Sequence, residues 1–461
     1  MIKVSYIYIL LLLCTFCACS TKQEKQSYDF KQIKEKGELT IITMNTSTSY
    51  FIYKEEAMGY DFDLAQDFCE HHNLKLNVKV AENTTRLLEM LKQGEGDLVA
   101  YAVPIQNELK DSITYCGEEQ ITHQVLVQKA NKGDTIVKDV TELIGKEVYV
   151  EKGTKYHQRL LNLNAELGGG INIHPVSEDT ITSEDLIEKV SSGEINFTVG
   201  DAYIARLNKT YYRNIDISLA ISFEQRTSWA VRKDTPELAK ALDEWFSSKD
   251  NTPNYRAITK KYFELSKQPF GGEYEIPLNL PKGAVSPYDE FFKKHAEGTK
   301  YEWQLLAAIS YHESRFKNNL TSWAGAAGIM GLMPRTAKSI GLSSDDRMNP
   351  DLSIGAGVVL LDRLNKIFSK IENIEERKKF ILGAYNGGNG HISDAQALAR
   401  KYGANPHVWE NNVEKYVELK SNPEYYNDPV CKNGYLRGGE TVRYVRSVLA
   451  TTERFKRINN K

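Results

Sequence analysis

Five segments decide the fold of the first half of the chain: LTIITM (39–44), YDFDLAQDFCEH (60–71), LNVKV (76–80), TRLLEMLKQ (85–93) and DLVAYAV (97–103). The first, third and fifth are apolar runs of strand length, and the other two carry apolar residues at helical spacing. Strands that alternate with helices along a chain are typical of an α/β fold. These segments therefore predict an α/β domain.

The same alternation continues further along the chain and then stops. Strands are expected near 147–150 and 196–200, with a helix between them. Prolines and glycines then crowd together over 266–287, a composition typical of an interdomain linker. Beyond the linker, strand patterns nearly vanish and helical periodicity dominates. We therefore predict a two-lobe α/β domain over 30–265, followed by a mainly α domain over 288–461.

Length and composition agree with several folded domains. At 461 residues the chain has room for about three domains of ~150 residues each. It is 41% hydrophobic and 26% charged, which is near the globular average and argues against a disordered or coiled-coil chain. Lys plus Arg (59) nearly balance Asp plus Glu (61). Because no basic field favours phosphate backbones, we expect no nucleic-acid partner.

The first 18 residues are predicted to be a signal peptide. Their apolar run is roughly half the ~20 residues that a membrane-spanning helix needs. The end of the run, FCACS (16–20), resembles a bacterial lipobox, which would make Cys19 the lipidated first residue; an ordinary cleaved signal is the alternative. Residues 19–29 would then form a tether. We expect the protein in the cell envelope, lipid-anchored in the outer membrane and facing the periplasm.

The cysteines do not predict a full disulfide framework. Three of the six lie in the leader, which leaves Cys69, Cys116 and Cys431. In an exported protein Cys69 and Cys116 could pair, but separate buried thiols are equally consistent with the sequence. No His/Cys cluster has metal-ligand spacing, and the acidic residues over 345–351 lack the pattern of a calcium loop. We expect neither a metal nor a cofactor.

Three motifs mark the beginning of the first domain: KGELTI (36–41), GYDFDLA (59–65) and GEGD (94–97). With the strand and helix order around them, they resemble the extracytoplasmic solute-binding proteins of the polar-amino-acid type, over about 30–265. The resemblance implies two α/β lobes, joined by crossover strands, that close over a ligand.

The same resemblance suggests where that ligand would bind. Gly153 and Thr154 would offer backbone N–H groups to an anion at a helix start, and Asp201 would take an ammonium group. Asp201 as a simple helix cap is the alternative. Leu109 stands where relatives that bind free amino acids usually have an Arg for the carboxylate. We therefore expect either no ligand or a larger one, such as a muropeptide or peptide, whose binding biases the second domain.

In the second half, a helical stripe carries a carboxylate into an apolar surface. Apolar residues recur at Leu306, Ile309 and Phe316, and Glu313 falls on the same stripe. Burial of a carboxyl group without a matched cation raises its pKa, which makes a proton donor at neutral pH. On periodicity alone, a glutamate paired with Arg315 or capping the backbone is the alternative.

Four sequence blocks follow: SWAGAAGIMGLMP (322–334), AYNGG (384–388), RGGET (437–441) and YV (444–445). Their order and spacing resemble the lytic transglycosylase domain related to goose-type lysozyme, over about 285–461. The resemblance implies that Glu313 is the single catalytic acid/base.

The resemblance further implies six residues on the substrate side. They are Ser322 and Met333 lining the sugar groove, Tyr385 and Asn386 supporting the reacting sugar, and Glu440 and Tyr444 holding the site from the last helices. Two positions depart from the family pattern. Gly331 replaces a common Gln, which removes an expected substrate hydrogen bond and would leave a roomier or water-filled groove, and Ser353 replaces a frequent Asn.

The fusion of the two domains resembles a membrane-bound branch of the lytic transglycosylases. In that family the acid protonates the glycosidic oxygen between N-acetylmuramic acid (MurNAc) and N-acetylglucosamine (GlcNAc), and the 2-acetamido group stabilises the cationic centre. The C6 hydroxyl then closes on C1, giving a 1,6-anhydro end without water. Peptidoglycan would be the partner, with no cofactor. A lysozyme-type hydrolase of the same fold and a non-catalytic cell-wall or solute-binding lipoprotein are the alternatives.

Overall fold

A computed structural model describes residues 28–131, 133–176, 181–249, 252–267 and 280–459. The predicted signal peptide (1–18), the lipidation site Cys19 and most of the tether and of the linker lie outside these described residues.

The described residues form an α/β half followed by a helical half. The strands are β1 Glu38–Met44, β2 Phe51–Tyr53, β3 Glu56–Met58, β4 Lys75–Ala81, β5 Leu98–Pro104, β6 Ile113–Thr122, β7 Gln124–Lys129, β8 Glu147–Glu151, β9 Asn172–Val176, β10 Phe197–Asp201, β11 Ile215–Asp216 and β12 Gln225–Arg232. The helices of the first half are α1 Phe30–Lys36, α2 Tyr60–His71, α3 Thr84–Lys92, α4 Lys155–Glu166, α5 Ser183–Ser192, α6 Ala202–Tyr211, α7 Pro236–Lys249 and α8 Pro253–Phe263.

Two five-stranded sheets build the two lobes of the first half. Lobe 1 has the strand order β4-β1-β5-β12-β6, and lobe 2 has the order β11-β7-β10-β8-β9. The chain passes from lobe 1 to lobe 2 between β6 and β7, with one residue between the strands, and returns before β12. In lobe 1, β1 pairs in parallel with β4 and β5, whereas β12 is antiparallel to both its neighbours. The predicted two-lobe α/β fold is confirmed.

Local sequence explains where several of these helices begin and end. A capping box starts α1 at Asp29, and Gly37 ends that helix with φ 74°. Another capping box starts α5 at Thr182, where the Asp185 side chain returns the hydrogen bond, and Gly193 ends that helix with φ 85°. Such caps satisfy backbone groups that a helix end leaves unpaired.

The second half is helical, as predicted. Its helices are α9 Asp289–Ala296, α10 Trp303–Ser314, α11 Pro334–Ser339, α12 Pro350–Ile367, α13 Ile374–Gly387, α14 Asn389–Lys401, α15 Glu414–Glu418, α16 Pro423–Tyr426 and α17 Gly438–Asn459. The central helix α10 buries Leu306 and Ile309 completely. It ends two residues earlier than its apolar stripe suggests, because Arg315 (φ 54°) and Phe316 (φ 60°) are left-handed. Phe316 is therefore buried beyond the helix end rather than on the helical stripe.

One small element of lobe 1 reaches the helical domain. Strands β2 and β3 pair as an antiparallel hairpin over residues 51–58, called the plug hairpin below. Its two turn residues, Lys54 (φ 46°) and Glu55 (φ 69°), both have positive φ. Asn-Gly and Asp-Gly are the usual residues of such turns, because other side chains are strained there.

The described part of the chain contains no helix that is both long and apolar enough to span a bilayer. It also contains no group of three His, Cys, Asp or Glu side chains arranged to hold a metal ion.

Candidate active site

Glu313 is the penultimate residue of α10, where the helix meets the glycine-rich segment 322–334. Hydroxyl groups on the same helix hold that segment in place: Ser310 Oγ and Ser314 Oγ donate to the carbonyl of Ile329 at 3.1 and 2.8 Å. The Glu313 side chain is 9% exposed. The helix and the segment thus form two sides of a narrow site around one carboxylate.

Gly331 of the segment lies against Glu313. Its φ is +60°, and a Cβ added to it would lie 2.4 Å from Glu313 Oε2 and 2.9 Å from Glu313 Cβ. The backbone therefore passes so near the carboxylate that no side chain fits at position 331. Glu313 therefore lies directly against the position where the family commonly has Gln.

Two tyrosines complete the walls. Tyr444 on α17 donates its hydroxyl to Glu313 Oε1 at 3.0 Å, and Tyr385 on α13 donates to the carbonyl of Met330 at 2.7 Å. Burial raises the pKa of both phenols well above the ordinary value, and the charge of Glu313 adds to the effect. Both phenols therefore stay protonated as donors. Tyr444 orients the carboxylate, while Tyr385 supports the backbone beside it.

Three other residues assigned to the substrate side have contacts within the catalytic domain. Asn386 accepts a hydrogen bond from Thr441 at 2.9 Å. Met333 is buried at the start of α11, and Ser322 is exposed, its Oγ accepting from the amide of Ala326 at 3.1 Å.

Glu440 belongs to a different cluster from Glu313. It lies 3.4 Å from Arg437, and burial raises the pKa of Glu440 although Arg437 and Arg443 act to lower it. Arg437 also reaches Glu184 of lobe 2 at 3.2 Å and stacks on the ring of Tyr211 at 4.0 Å. This cluster joins the RGGET motif to the first domain rather than to the carboxylate of Glu313.

A residue that the sequence did not identify occupies the site. Lys54, at the tip of the plug hairpin, places its Nζ 3.0 Å from Glu313 Oε2, and its side chain is 8% exposed. Burial acts to lower the pKa of Lys54, but the charge of Glu313 and the hydrogen bond to its carboxylate outweigh it, so the net pKa of Lys54 is raised from its ordinary value. The ammonium group therefore stays charged. The sequence argument assumed that Glu313 is buried without a matched cation, and Lys54 supplies such a cation.

The plug hairpin also fills the space that a substrate would need. The cavity between Lys54, Gly331 and Tyr385 has a volume of about 20 Å³, which is room for one water molecule and not for a sugar ring. A second cavity of about 590 Å³ lies on the other side of the hairpin tip. Glu55 and Gly388 line both cavities, so the tip separates them.

Lobe 2 brings Gly153, Thr154 and Asp201 to one edge of its sheet. Gly153 and Thr154 follow β8, and Asp201 ends β10; these two strands are parallel neighbours. Asp201 Oδ1 accepts from Thr122 at 2.6 Å and from the amide of Tyr203 at 2.9 Å, while Lys155 Nζ lies 3.3 Å from Oδ2. Asp201 therefore caps α6, as the alternative had it, and a lysine of the same lobe stands where an ammonium ligand was expected.

Two body cysteines lie in the first domain. Cys69 and Cys116 are free and buried, and burial raises the pKa of the Cys69 thiol to about 12. In the described structure they are separate thiols, one of the two possibilities that the sequence left open.

Comparison with known proteins matches both halves. The model for the Transglycosylase SLT domain matches residues 290–408, and that for Bacterial extracellular solute-binding proteins, family 3 matches 39–265. A membrane-bound lytic murein transglycosylase F from Desulfosudis oleivorans is 32% identical over 436 residues, covering 92% of each chain. One from Pseudomonas fluorescens is 28% identical, covering 91% of this chain and 84% of that protein. A solved ancestral cationic amino acid solute binding protein is 20% identical with a TM-score of 0.44, covering 51% of this chain and 99% of that chain.

Proposed function

This chain belongs to the membrane-bound lytic murein transglycosylase F family, and we propose that Glu313 is the single acid/base with which it cleaves peptidoglycan. The enzyme is a lyase that breaks the MurNAc-GlcNAc β-1,4 bond and leaves 1,6-anhydroMurNAc ends. One observation carries the role of Glu313: its carboxylate lies between the glycine-rich segment and Tyr444, in the domain that matches the transglycosylase family. Family membership also favours an enzyme over a non-catalytic binding lipoprotein.

The one-carboxyl scheme follows from membership of the lytic transglycosylase family. Tyr444 and Lys54 hydrogen-bond the Glu313 carboxylate. A glycosidase that uses water as nucleophile needs a second carboxylate as base, and a retaining one needs it as nucleophile. Here Glu313 first donates its proton to the leaving glycosidic oxygen. It then takes the proton of the C6 hydroxyl as that oxygen bonds C1, so no water is consumed. Tyr444 keeps the carboxyl oriented through both steps.

The substrate-side assignments are part of the same proposal. Met333, Tyr385 and Gly331 line the remaining cavity beside Glu313. Ser322 is exposed at the start of the glycine-rich segment, where a glycan strand would pass. Asn386 acts through Thr441, supporting the wall behind the reacting sugar, whereas Glu440, paired with Arg437, holds the RGGET motif against the first domain.

Product analysis tests the reaction. Purified sacculi are digested with the enzyme, and the released muropeptides are weighed by mass spectrometry. The lytic transglycosylase product is one water lighter than the product of a lysozyme-type hydrolase. Reducing MurNAc ends in place of anhydro ends would show that the hydrolase alternative is the correct one.

The first domain controls access to Glu313 in this proposal. The plug hairpin must leave before a glycan can bind, because Lys54 and the substrate compete for the same carboxylate. Lobe 2 is tied to the same region, since Glu184 bonds both Ser47 of lobe 1 and Arg437 of the catalytic domain. A muropeptide or peptide bound beside Gly153, Thr154 and Asp201 would move lobe 2 against lobe 1 and so release the hairpin.

Calorimetry with the full chain tests this control. Muropeptides and free amino acids are titrated in turn, and glycan cleavage is measured with and without each compound. Heat from muropeptides together with faster cleavage supports the proposal. No heat from either class would leave the first domain a passive cover of the site.

The anchor and the domain limits complete the proposal. Relatives are named membrane-bound, which places the chain in the cell envelope. Lipid on Cys19, in the outer membrane and facing the periplasm, is the finer assignment, with domains over 30–265 and 288–461. Labelling with radioactive palmitate, compared between the native chain and Cys19→Ala, tests the anchor; equal labelling would exclude Cys19.

A further inference from the structure

Trp323 belongs to the catalytic domain, but the rings and the cation around it come from the preceding part of the chain. The centroid of its ring lies 5.6 Å from that of Tyr53 and 6.3 Å from that of Tyr262, and Lys267 Nζ lies 4.8 Å from it. It packs against the hydrophobic cluster of lobe 1 that contains Phe51. The aromatic surface of Trp323 is therefore covered by groups that would leave with the first domain.

The catalytic domain alone holds the turn that carries Trp323. The amide of Gly325 donates to the carbonyl of Ser322 at 3.0 Å, and the amide of Ser322 donates to the carbonyl of Ala326 at 2.7 Å. Arg347 then bonds the carbonyl of Gly325 at 3.1 Å. Because none of these bonds involves the plug hairpin, the turn keeps its shape when the hairpin leaves, and the indole becomes an exposed ring on a rigid loop.

The plug hairpin covers the acid and the indole with consecutive residues. Lys54 bonds Glu313, and Tyr53 lies against Trp323 with the two rings tilted by 40°. Lys54 Nζ lies 5.9 Å from the centroid of the Tyr53 ring, so the place that Lys54 takes on the acid and the place that Tyr53 takes on the indole are neighbours. A ligand that reaches Glu313 with one unit meets Trp323 with the next.

We propose that Trp323 is a sugar-stacking platform, whose indole takes the apolar face of the hexopyranose ring next to the bond that Glu313 cleaves. Large aromatic rings bind such faces through a wide, flat contact area at low conformational cost. The Tyr53 ring holds that place in the closed structure. This inference rests on the proposed function, because it needs a glycan at Glu313, and it deepens that function by assigning a binding residue.

The test is made in the full chain with the cover removed. Tyr53→Ala/Lys54→Met is the reference variant, and Trp323→Ala and Trp323→Phe are added to it. KM and kcat for isolated glycan strands are measured. Binding of the same strands is measured separately with Glu313→Gln in place of Glu313. We expect Trp323→Ala to raise KM and the dissociation constant about tenfold, with kcat changed less than twofold, and Trp323→Phe to recover most of the loss.

Trp303 provides a matched control. It is a partly buried tryptophan at the other end of α10, ten residues and about 15 Å along the helix from Glu313. Trp303→Phe in the reference variant is expected to leave KM and binding unchanged.

Two results would overturn the proposal. Unchanged KM and glycan binding in Trp323→Ala would show that this ring serves only the contact with the first domain. An equal loss of binding in Trp303→Phe would show that any tryptophan change disturbs the fold. The binding measurement needs no turnover, so an inactive reference variant counts against the proposed reaction, while Trp323 is judged by binding alone.

Discussion

Two carboxylates of this molecule each face a lysine of the same chain; both carboxylates are largely buried, and the two pairs differ in how far the lysine is exposed. Asp201 of lobe 2 has Lys155 at 3.3 Å, with the lysine side chain 53% exposed. Glu313 of the catalytic domain has Lys54 at 3.0 Å, with the lysine 8% exposed. The first pair lies within one lobe, whereas the second joins two domains. Both lysines stand where a ligand of the carboxylate was expected.

Burial determines what each pair can do. Exposed ion pairs contribute about 0–1 kcal/mol, because water screens them and long side chains lose entropy in forming them. Removal of one partner from a buried pair costs about 3–5 kcal/mol, because the other charge is left unpaired. An incoming cation can therefore displace Lys155 from Asp201 at little cost. Lys54, in contrast, is expected to leave the Glu313 carboxylate only when the whole plug hairpin moves.

The largest expected effect comes from removing the carboxylate of the buried pair. Glu313→Gln keeps the shape of the side chain but cannot donate a proton, so release of anhydro-muropeptides from sacculi is expected to fall to background. The substitution also removes the ion pair that attaches Lys54 to the site. Binding to sacculi, measured by co-sedimentation, is therefore expected to persist. Turnover at the native rate by this variant would remove Glu313 from the mechanism.

Removal of the lysine of the same pair is expected to speed glycan cleavage rather than abolish it. Lys54→Met keeps the length of the side chain, and the unpaired Glu313 then disfavours the closed arrangement. Because each 1.4 kcal/mol is a factor of ten, the loss of a buried partner corresponds to at least about tenfold faster cleavage by the full chain. The rate of anhydro-muropeptide release measures it. No acceleration, with native-like folding by circular dichroism, would show that the hairpin does not limit access.

The fold was predictable because its signals are local. Strand and helix patterns repeat within a few residues, and the two lobes and the helical domain follow them. The helical stripe and the glycine-rich block predicted Glu313 as the acid, and that role stays a prediction. The same stripe placed Phe316 on a helix that ends before it. The Asp201 cap was foreseen as an alternative, since a carboxylate before a helix is a local signal.

Lys54 could not be predicted, because it meets Glu313 across 259 positions of the chain. No periodicity encodes such a contact. The turn around it also lacks the Asn-Gly or Asp-Gly signal, since Lys54 and Glu55 adopt positive φ without those residues. The tilt of Tyr53 over Trp323 depends on the same docking. The sequence thus identified the chemistry but not what covers it.

Acid pH is expected to loosen the hairpin through a neighbour of the buried pair. His391 Nε2 lies 2.9 Å from the carbonyl of Ile52 on β2, and burial, with Lys420, lowers the pKa of His391 to about 4. Burial is the largest cause of that lowered pKa, and departure of the hairpin removes part of it, whereas Lys420 of the catalytic domain stays beside His391. The pKa of His391 is therefore expected to rise on opening, so the closed form binds fewer protons and loses stability as the pH falls toward 4.

Trypsin accessibility of Lys54, followed by mass spectrometry, measures this effect. We expect cleavage of native-state protein after Lys54 to increase several-fold between pH 7.5 and pH 5.5, after correction for trypsin activity on a free peptide. His391→Gln keeps a donor to Ile52 but does not titrate, so its cleavage should be nearly independent of pH. An equal pH response in both proteins would place the titrating group elsewhere.

The smallest effect is expected at the exposed pair, and it decides whether burial is the relevant difference. Lys155→Met leaves Asp201 bonded to Thr122 and the amide of Tyr203, so unfolding free energy should change by no more than about 1 kcal/mol in urea titrations. Basal cleavage should stay within about twofold of native. Cationic peptides should bind several-fold tighter by calorimetry, because no lysine competes for Asp201. If Lys155→Met instead accelerated cleavage as much as Lys54→Met, an exposed pair would be restraining the enzyme as strongly as a buried one. Control of Glu313 would then depend on the balance of charge between the lobes rather than on the docked hairpin.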